Sequence, residues 1–534
     1  MLKRFFPALM ALIAISLLSA CGTTTGSSNQ PGPSNTVIMA GDISDAITLD
    51  PQVAYEFSST AAAQLMYSTL VRFPYGNLST PSPNVASSWT SSSDGKTWTF
   101  HLKSNVKFSS GNTLTADDVV YTFERLVNLP NDPAAWLITQ AGFTPANVDQ
   151  SVKALDPTTV QITLPQPMSP GAWLSVLANS VAGIVDSKVV KTHVQNNDWG
   201  THWLFNHSAG SGPYVLQTWT KGVEMDFNSN PNFSLGPAPK IIRVMWKNAS
   251  DTTARLDMLQ RGDADIAEGL TADQIDSLKG SANIKVLKTP QIAMQYIGLG
   301  VNTVPAFSNP YVREAMKYAI DYNAITTQLL HGNGEPLQGI IPRGIFGYSA
   351  TPSYSLDVAK AKSLMAQGGY ANGFTVTMLI PAGTVAGGIQ AADLAEAIKG
   401  NLAQVNVTVN IQQVESSELY SQYRAHKAQM ILAEWAMDYP DPQDFAAPFA
   451  DYTQQSLIWR LQDNDANLSK LVQQAAALSN TPERAAIYQQ INQDMATGPF
   501  VVLYQPDAVI AYRSNISGMT YDDLNGVSYP ILSK

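Results

Sequence analysis

Asp438 follows the apolar run Met430-Ile431-Leu432-Ala433 and stands between Met437 and Tyr439, where a strand would end and a cleft begin. A carboxylate in that setting can hold an ammonium group inside a partly dry site. It can equally cap a turn ahead of Pro440. Asp441, between Pro440 and Pro442, reads as a turn residue. The standard catalytic and metal-binding patterns fail on inspection. Gly95-Lys96-Thr97 ends like a phosphate-binding loop, but the first glycine of such a loop would fall at Thr90. Asp463-x-Asp465-x-Asn467 begins like a calcium loop, yet Leu468 stands where the turn glycine is needed and Gln474 where the bidentate glutamate should be. No His-Glu-x-x-His and no Gly-x-Ser-x-Gly occurs, and the six histidines form no i, i+4 pair. A single cysteine rules out a thiolate zinc site. These residues predict binding without catalysis: no enzyme, no cofactor, no metal.

The one cysteine, Cys21, has no partner for a disulfide, and its setting gives it another use. Lys3 and Arg4 precede an apolar run from Phe5 to Leu18, broken only by Pro7 and Ser16. That run is short for a spanning helix but suits an export signal. Leu18-Ser19-Ala20-Cys21-Gly22 resembles the processing site of bacterial lipoproteins. The resemblance implies a signal peptide at 1–20, cleaved before a lipidated Cys21. Two or three acyl chains at about 0.8 kcal/mol per buried methylene make a stable anchor. Residues 21–35 then read as the lipidated cysteine and a flexible Thr/Gly/Ser/Asn/Pro tether, spanning on the order of 20 Å.

The elements that must position Asp438 belong to a large mixed chain. Its 534 residues exceed one compact core, so two or three domains are expected. With 45% hydrophobic and 14% charged residues the composition is that of a folded globular protein. The net charge is −10, and no Lys/Arg cluster stands out, which argues against nucleic acid as a partner. Residues 97–102 alternate in the strand sense, with Trp98, Phe100 and Leu102 on one face. Thr115 is placed to cap a helix over 115–127, with Asp117 and Asp118 at its positive end and Val119, Val120, Phe123, Leu126 and Val127 as its apolar stripe. Further strands are expected at 158–164, 241–246, 374–380 and 405–411, and a helix at 392–402. Asn309-Pro310 opens a helix over 311–330, and Thr481-Pro482 opens another over 483–496.

Five blocks, in order along nearly the whole chain, resemble the solute-binding proteins of ABC importers for peptides and nickel. The first runs from Ala86-Ser87-Ser88-Trp89 through Thr97-Trp98-Thr99-Phe100 to Leu114-Thr115-Ala116-Asp117-Asp118-Val119-Val120-Tyr121. The second is Gly210-Ser211-Gly212-Pro213-Tyr214 with Asn230-Pro231-Asn232-Phe233, and the third Ala254-Arg255-Leu256 through Gly262-Asp263-Ala264-Asp265-Ile266. The fourth is Val312-Arg313-Glu314-Ala315 through Asp321, with Ile341-Pro342 and Gly347-Tyr348. The fifth is Trp435-Ala436-Met437-Asp438-Tyr439-Pro440-Asp441-Pro442.

The resemblance implies a mixed α/β fold of the two-lobed periplasmic-binding-protein type, with an inserted third domain and a hinged cleft. Domain I is expected at 36–68, 199–292 and 501–534, domain II at 69–198 and domain III at 293–500. Asp438 falls at the family's aspartate that meets a peptide's α-ammonium. Trp435 is implied as an aromatic wall, with Ala436 and Tyr439 beside it. Tyr55, Glu56 and Phe57 match cleft-lining positions, although Glu56 departs from the small or neutral residue the family suggests there. Arg424 lies near where some relatives hold a basic residue for a terminal carboxylate, but it also reads as solvated surface charge. The implied function is capture of short peptides by a monomer anchored to the extracytoplasmic face of the membrane. That is the periplasmic side where an outer membrane exists, and delivery goes to ABC permease and ATPase subunits. The same scaffold suits an oligosaccharide, an opine or a nickel chelate, and a surface protein for adhesion, sensing or chaperone work is the rival reading.

Overall fold

The computed structural model describes residues 35–129 and 134–534. The expected export signal, Cys21 and the tether up to residue 34 lie outside the described residues.

A 12-stranded mixed sheet runs through two lobes. One half holds Tyr214–Thr220, Glu224–Ser229, Arg243–Asn248, Thr36–Gly41 and Ile266–Ala267; the other holds Val407–Val414, Phe374–Pro381, Met430–Ala436 and Ala293–Leu299. Phe500–Arg513 stands between the halves and serves both. Its early residues pair antiparallel with Ala293–Leu299, Tyr504 opposite Gln295, and its later ones with Ile284–Pro290, Asp507 opposite Pro290. Only Gln291 and Ile292 separate those two partner strands. Gln505, 2% exposed, braces the crossing. Its Nε2 donates to the carbonyls of Gln291 and Arg343 at 2.9 and 3.0 Å, and its Oε1 accepts from Arg343 N at 2.9 Å. Lobes joined by a few crossing strands can rotate there while each core stays packed.

In the second lobe Phe374–Pro381 and Val407–Val414 are parallel and are joined through helix Ala391–Ala403, the crossover that parallel strands require. A separate four-stranded antiparallel sheet, in the order Ala86–Ser91, Thr97–Leu102, Thr159–Thr163 and Val152–Asp156, forms the inserted body. Trp98, Phe100 and Leu102 are buried on one face, as their alternation predicts. Helix Ala116–Asn128 starts at a capping box in which Thr115 N donates to Asp118 Oδ2 at 2.8 Å. Its Phe123 packs against Phe143 and Trp173 at 5.5 and 6.4 Å.

The helix expected over 311–330 is broken. Pro310–Tyr318 ends, and the chain restarts at Tyr322–Ala324 and Ile325–Leu329. The cause is Asp321, whose N donates to Asn401 Oδ1 at 2.8 Å while its own Oδ1 caps Ala324 N at 2.9 Å. Asp side chains compete with the helix for backbone partners, and here that competition starts a new turn. The helix expected over 483–496 is Pro482–Asp494, followed by a tighter turn at Met495–Thr497.

Two devices fix the segment carrying Tyr55, Glu56 and Phe57. Upstream, Arg125 of the inserted body forms a fully buried ion pair with Asp50, with one guanidinium nitrogen 2.7 Å from Asp50 Oδ1, and also donates to Gln52 Oε1 at 2.6 Å. Gln52 Nε2 in turn donates to the carbonyls of Val181 and Gly183 at 3.0 and 2.9 Å. Downstream, helix Phe57–Met66 ends against Gly210 and Gly212, and Gly212 N donates to Met66 O at 2.9 Å. A Cβ on Gly210 would stand 2.0 Å from Met66 O, and one on Gly212 2.5 Å from Leu65 O. Only glycine permits that approach.

Candidate functional site

The two lobes meet directly at Asp438. Met430–Ala436 ends where Ala436 faces Ala293, and the chain leaves the sheet into the loop that carries the aspartate. From the facing lobe the Tyr55 hydroxyl donates to Asp438 Oδ2 at 3.2 Å, although the two residues lie 383 apart in the chain. Asn179 Nδ2 donates to the Asp438 carbonyl at 2.8 Å. The carboxylate therefore does not cap its own loop. That task falls to Asp444, whose Oδ2 accepts from Asp438 N at 2.9 Å, and to Asp441, whose Oδ1 accepts from Gln443 N at 2.9 Å.

Asp438 and Asp444 form a titrating pair with different roles. Asp444 is 1% exposed, and its Oδ1 has no hydrogen-bond partner. Burial first, and then the charge of Asp438, push its carboxyl well above the usual range. Burial pushes Asp438 up to about 6, against the opposing effect of the Tyr55 hydrogen bond. Above that pH it is an ionised carboxylate in a part-dry setting, and it forms no ion pair among the described residues. Such a group is complementary to an ammonium ion. Burial and the adjacent Asp438 in turn push the Tyr55 hydroxyl far up, so it stays a donor.

The remaining predicted residues divide. Trp435 is half-buried, stands edge-on to Phe449 at 6.1 Å, and has a buried indole N–H with no acceptor. Ala436 is half-buried at the strand end. Phe57 is 69% exposed in the first turn of its helix, and Tyr55 38% exposed. Glu56 immediately precedes that helix, with one buried carboxyl oxygen left unpaired. Tyr439 does not face the cleft. It is fully buried, and its hydroxyl donates to Gln140 Oε1 of the inserted body at 3.3 Å. Arg424 is exposed and lies with its guanidinium 5.9 Å from the centre of the Tyr420 ring. Asp441 does more than turn the chain: it pairs with Arg484 at 2.7 Å, both side chains buried.

Three cleft residues escaped sequence reasoning. Asp444 and Asn179 hold the Asp438 loop, and nothing local in their surroundings announces it. Arg460 is the third: half-buried, with its guanidinium 5.3 Å from the Tyr423 ring centre, and close enough for its charge to act on Tyr55. Between the lobes near the hinge, a cavity of about 220 Å³ is lined by Glu268 and Tyr521 from one side and by Asn333, Gly387 and Gly388 from the other. An adjoining cavity of about 200 Å³ runs past Phe57, Ser58, Glu268 and Asp523. Burial pushes Glu268 and Asp523 each up to about 7. The interlobe surface is thus rich in carboxyl groups.

Comparison with known proteins agrees with this architecture. Residues 80–456 match the bacterial extracellular solute-binding proteins, family 5 Middle. The chain is 28% identical over 494 residues to the probable D,D-dipeptide-binding periplasmic protein DdpA of Escherichia coli (strain K12), covering 91% of this chain and 92% of the relative. It is 30% identical over 366 residues to the glutathione-binding protein GsiB of Escherichia coli O6:K15:H31, covering 68% and 66%. Among solved structures it resembles the periplasmic binding protein DppA of Helicobacter pylori in complex with the peptide STSA, with a TM-score of 0.79, 25% identity, and coverage of 93% and 98%.

Proposed function

Because the chain belongs to the family 5 bacterial extracellular solute-binding proteins, we propose that it captures short peptides between its lobes and delivers them to an ABC importer. The observation that carries this reading is the Tyr55–Asp438 contact, which sets a carboxylate with no ion-pair partner among the described residues at the junction of the two lobes. A peptide ammonium placed there gains a charge-assisted bond and relieves the carboxylate of its desolvation. The relatives named for a D,D-dipeptide, glutathione and a bound tetrapeptide support a peptidic guest.

Capture follows from differential contact. In an open form a ligand touches one lobe; in the closed form it touches both, and only the energy of the second set of contacts moves the equilibrium. A micromolar dissociation constant corresponds to about −8 kcal/mol, within reach of a buried charge pair and aromatic contacts and still compatible with release. The chain acts as a monomer outside the cytoplasm, held to the membrane through a lipid on Cys21, and presents its closed form to permease and ATPase subunits.

Isothermal titration calorimetry tests the substrate class. Saturable binding of members of a di- to pentapeptide series, with none for oligosaccharides, opines or nickel–histidine, is the expected result. Binding of one of those solutes with no response to any peptide would discard the peptide reading and keep the scaffold.

A further inference from the structure

The loop that carries Asp438 is gripped from outside its own lobe, and the grip comes from the inserted body. That body is tied to the first lobe by the buried Arg125–Asp50 pair and by Gln52, which donates to the carbonyls of Val181 and Gly183. Its helix Pro170–Ala178, nine residues spanning about 13 Å, touches the facing lobe at both ends. Just past its last residue, Asn179 donates through Nδ2 to the Asp438 carbonyl at 2.8 Å. In its first turn Gly171 meets Asn480, and a Cβ there would stand 2.8 Å from Asn480 Nδ2 and 3.3 Å from its Cγ. Asn480 accepts from Arg484, whose guanidinium is paired with Asp441 of the same loop. A third contact joins the Tyr439 hydroxyl to Gln140 at 3.3 Å. Residues 438 and 439 are thus held by the inserted body directly, and residue 441 through Arg484 and Asn480.

The contact is apolar as well as polar. One continuous cluster of buried residues holds Ile138, Trp173 and Val181 of the inserted body and Met437, Tyr439 and Phe445 of the second lobe. Gly171 marks how close the approach is. Glycine weakens a helix relative to alanine, and Gly171 has none of the left-handed backbone that would call for it. What it provides is room for Asn480.

We propose that the inserted body is a clasp: it holds the Asp438 loop in the closed form through residues that do not touch the guest, and so scales the affinity for every guest by the same factor. The inference rests on the hinge capture proposed above and adds the device that biases it. A contact made only when the lobes are together raises the closed fraction, and the apparent dissociation constant of any ligand that needs that state falls in proportion.

The first test traps the contact without relying on any solute. Cys21→Ser leaves the chain without a cysteine, and in that background Gly171→Cys and Asn480→Cys stand within reach of a disulfide. Mild oxidation should cross-link them within one chain, faster with trialanine than without. No cross-link in either condition overturns the clasp. The second test is calorimetry with dialanine, trialanine and tetra-alanine on Gly171→Leu and Tyr439→Phe. Leucine suits the helix and obstructs Asn480, so the denaturant midpoint should stay at or above the parent's while every peptide binds at least about tenfold more weakly. Tyr439→Phe removes one hydrogen bond and should weaken all of them alike, by about threefold to tenfold. Losses that differ from peptide to peptide would place these side chains against the guest and overturn the proposal. Affinities of Gly171→Leu within about threefold of the parent would overturn it too. If no alanine peptide binds the parent, the peptide reading falls alone and the cross-link decides the clasp.

Discussion

Replacing Asp438 with asparagine removes a charge and keeps an oxygen for the Tyr55 hydroxyl, so the variant isolates electrostatics from shape. In the empty site burial holds the carboxyl at about 6 against an ordinary 3.8, which at about 1.4 kcal/mol per tenfold is about 3 kcal/mol stored against the ionised form. An ammonium ion in contact with it returns that energy, so the charge contributes about 3 kcal/mol, or about a hundredfold in affinity at neutral pH. The pH dependence has a definite sign. The empty site has the higher pKa and the occupied site the lower one, so a peptide that binds below about pH 6 must expel a proton. Affinity should be flat from about pH 6 until the peptide's own α-ammonium begins to deprotonate near pH 8, and fall by up to about tenfold per pH unit below pH 6, and Asp438→Asn should lose that acid-side slope. Calorimetry with trialanine at about pH 5 and about pH 7.5 measures both effects. Affinity of the variant within about threefold of the parent at neutral pH, or a parent that binds equally well at both pH values, refutes the reasoning.

Asp441→Asn leaves the buried Arg484 guanidinium without its anion and should lower unfolding free energy by about 3–5 kcal/mol, read from the denaturant midpoint. Lys317 is 4% exposed and donates to the carbonyls of Met495 and Ala496 at 2.8 and 2.6 Å; burial pulls its amine from 10.5 down to about 7. Between those values the unfolded chain holds the proton and the folded chain does not, so this residue makes stability rise with pH from about 7 to about 10. Lys317→Met should lose that rise relative to the parent in denaturation series at the two ends of the window; parallel curves would show that the amine stays charged when folded. Cys21→Ser should move the protein from the membrane to the soluble fraction, and a variant that still sediments with membranes ends the lipoprotein reading.

What the sequence disclosed was mostly local. Thr115 and Asp118 are three residues apart and make a capping box whatever the rest of the chain does, so the start of helix Ala116–Asn128 could be read directly. The strand Thr97–Leu102 was legible for the same reason, because its alternation needs only one buried face. The break at Asp321 was not, since its cause is the amide of Asn401, brought in from another helix. Nor does any pattern in Phe500–Arg513 show that one strand serves two lobes; that depends on which partners pair with its two ends.

At the site, Tyr55 and Asp438 were named together only through family resemblance, for 383 residues separate them. Tyr439 was placed beside the cleft by resemblance alone, and its partner Gln140, which holds it buried, sits in a different body, 299 residues away in the chain. Arg460 carries no local signal in the sequence, and its place against the Tyr423 ring comes from the fold.

Small-angle X-ray scattering of solute-free protein, titrated with the alanine peptides, tests hinge capture most directly. The radius of gyration should shrink and level off at the same peptide concentration at which calorimetry saturates. Superimposable scattering curves from empty to saturated protein would contradict closure, because the guest would then be held without any movement of the two lobes.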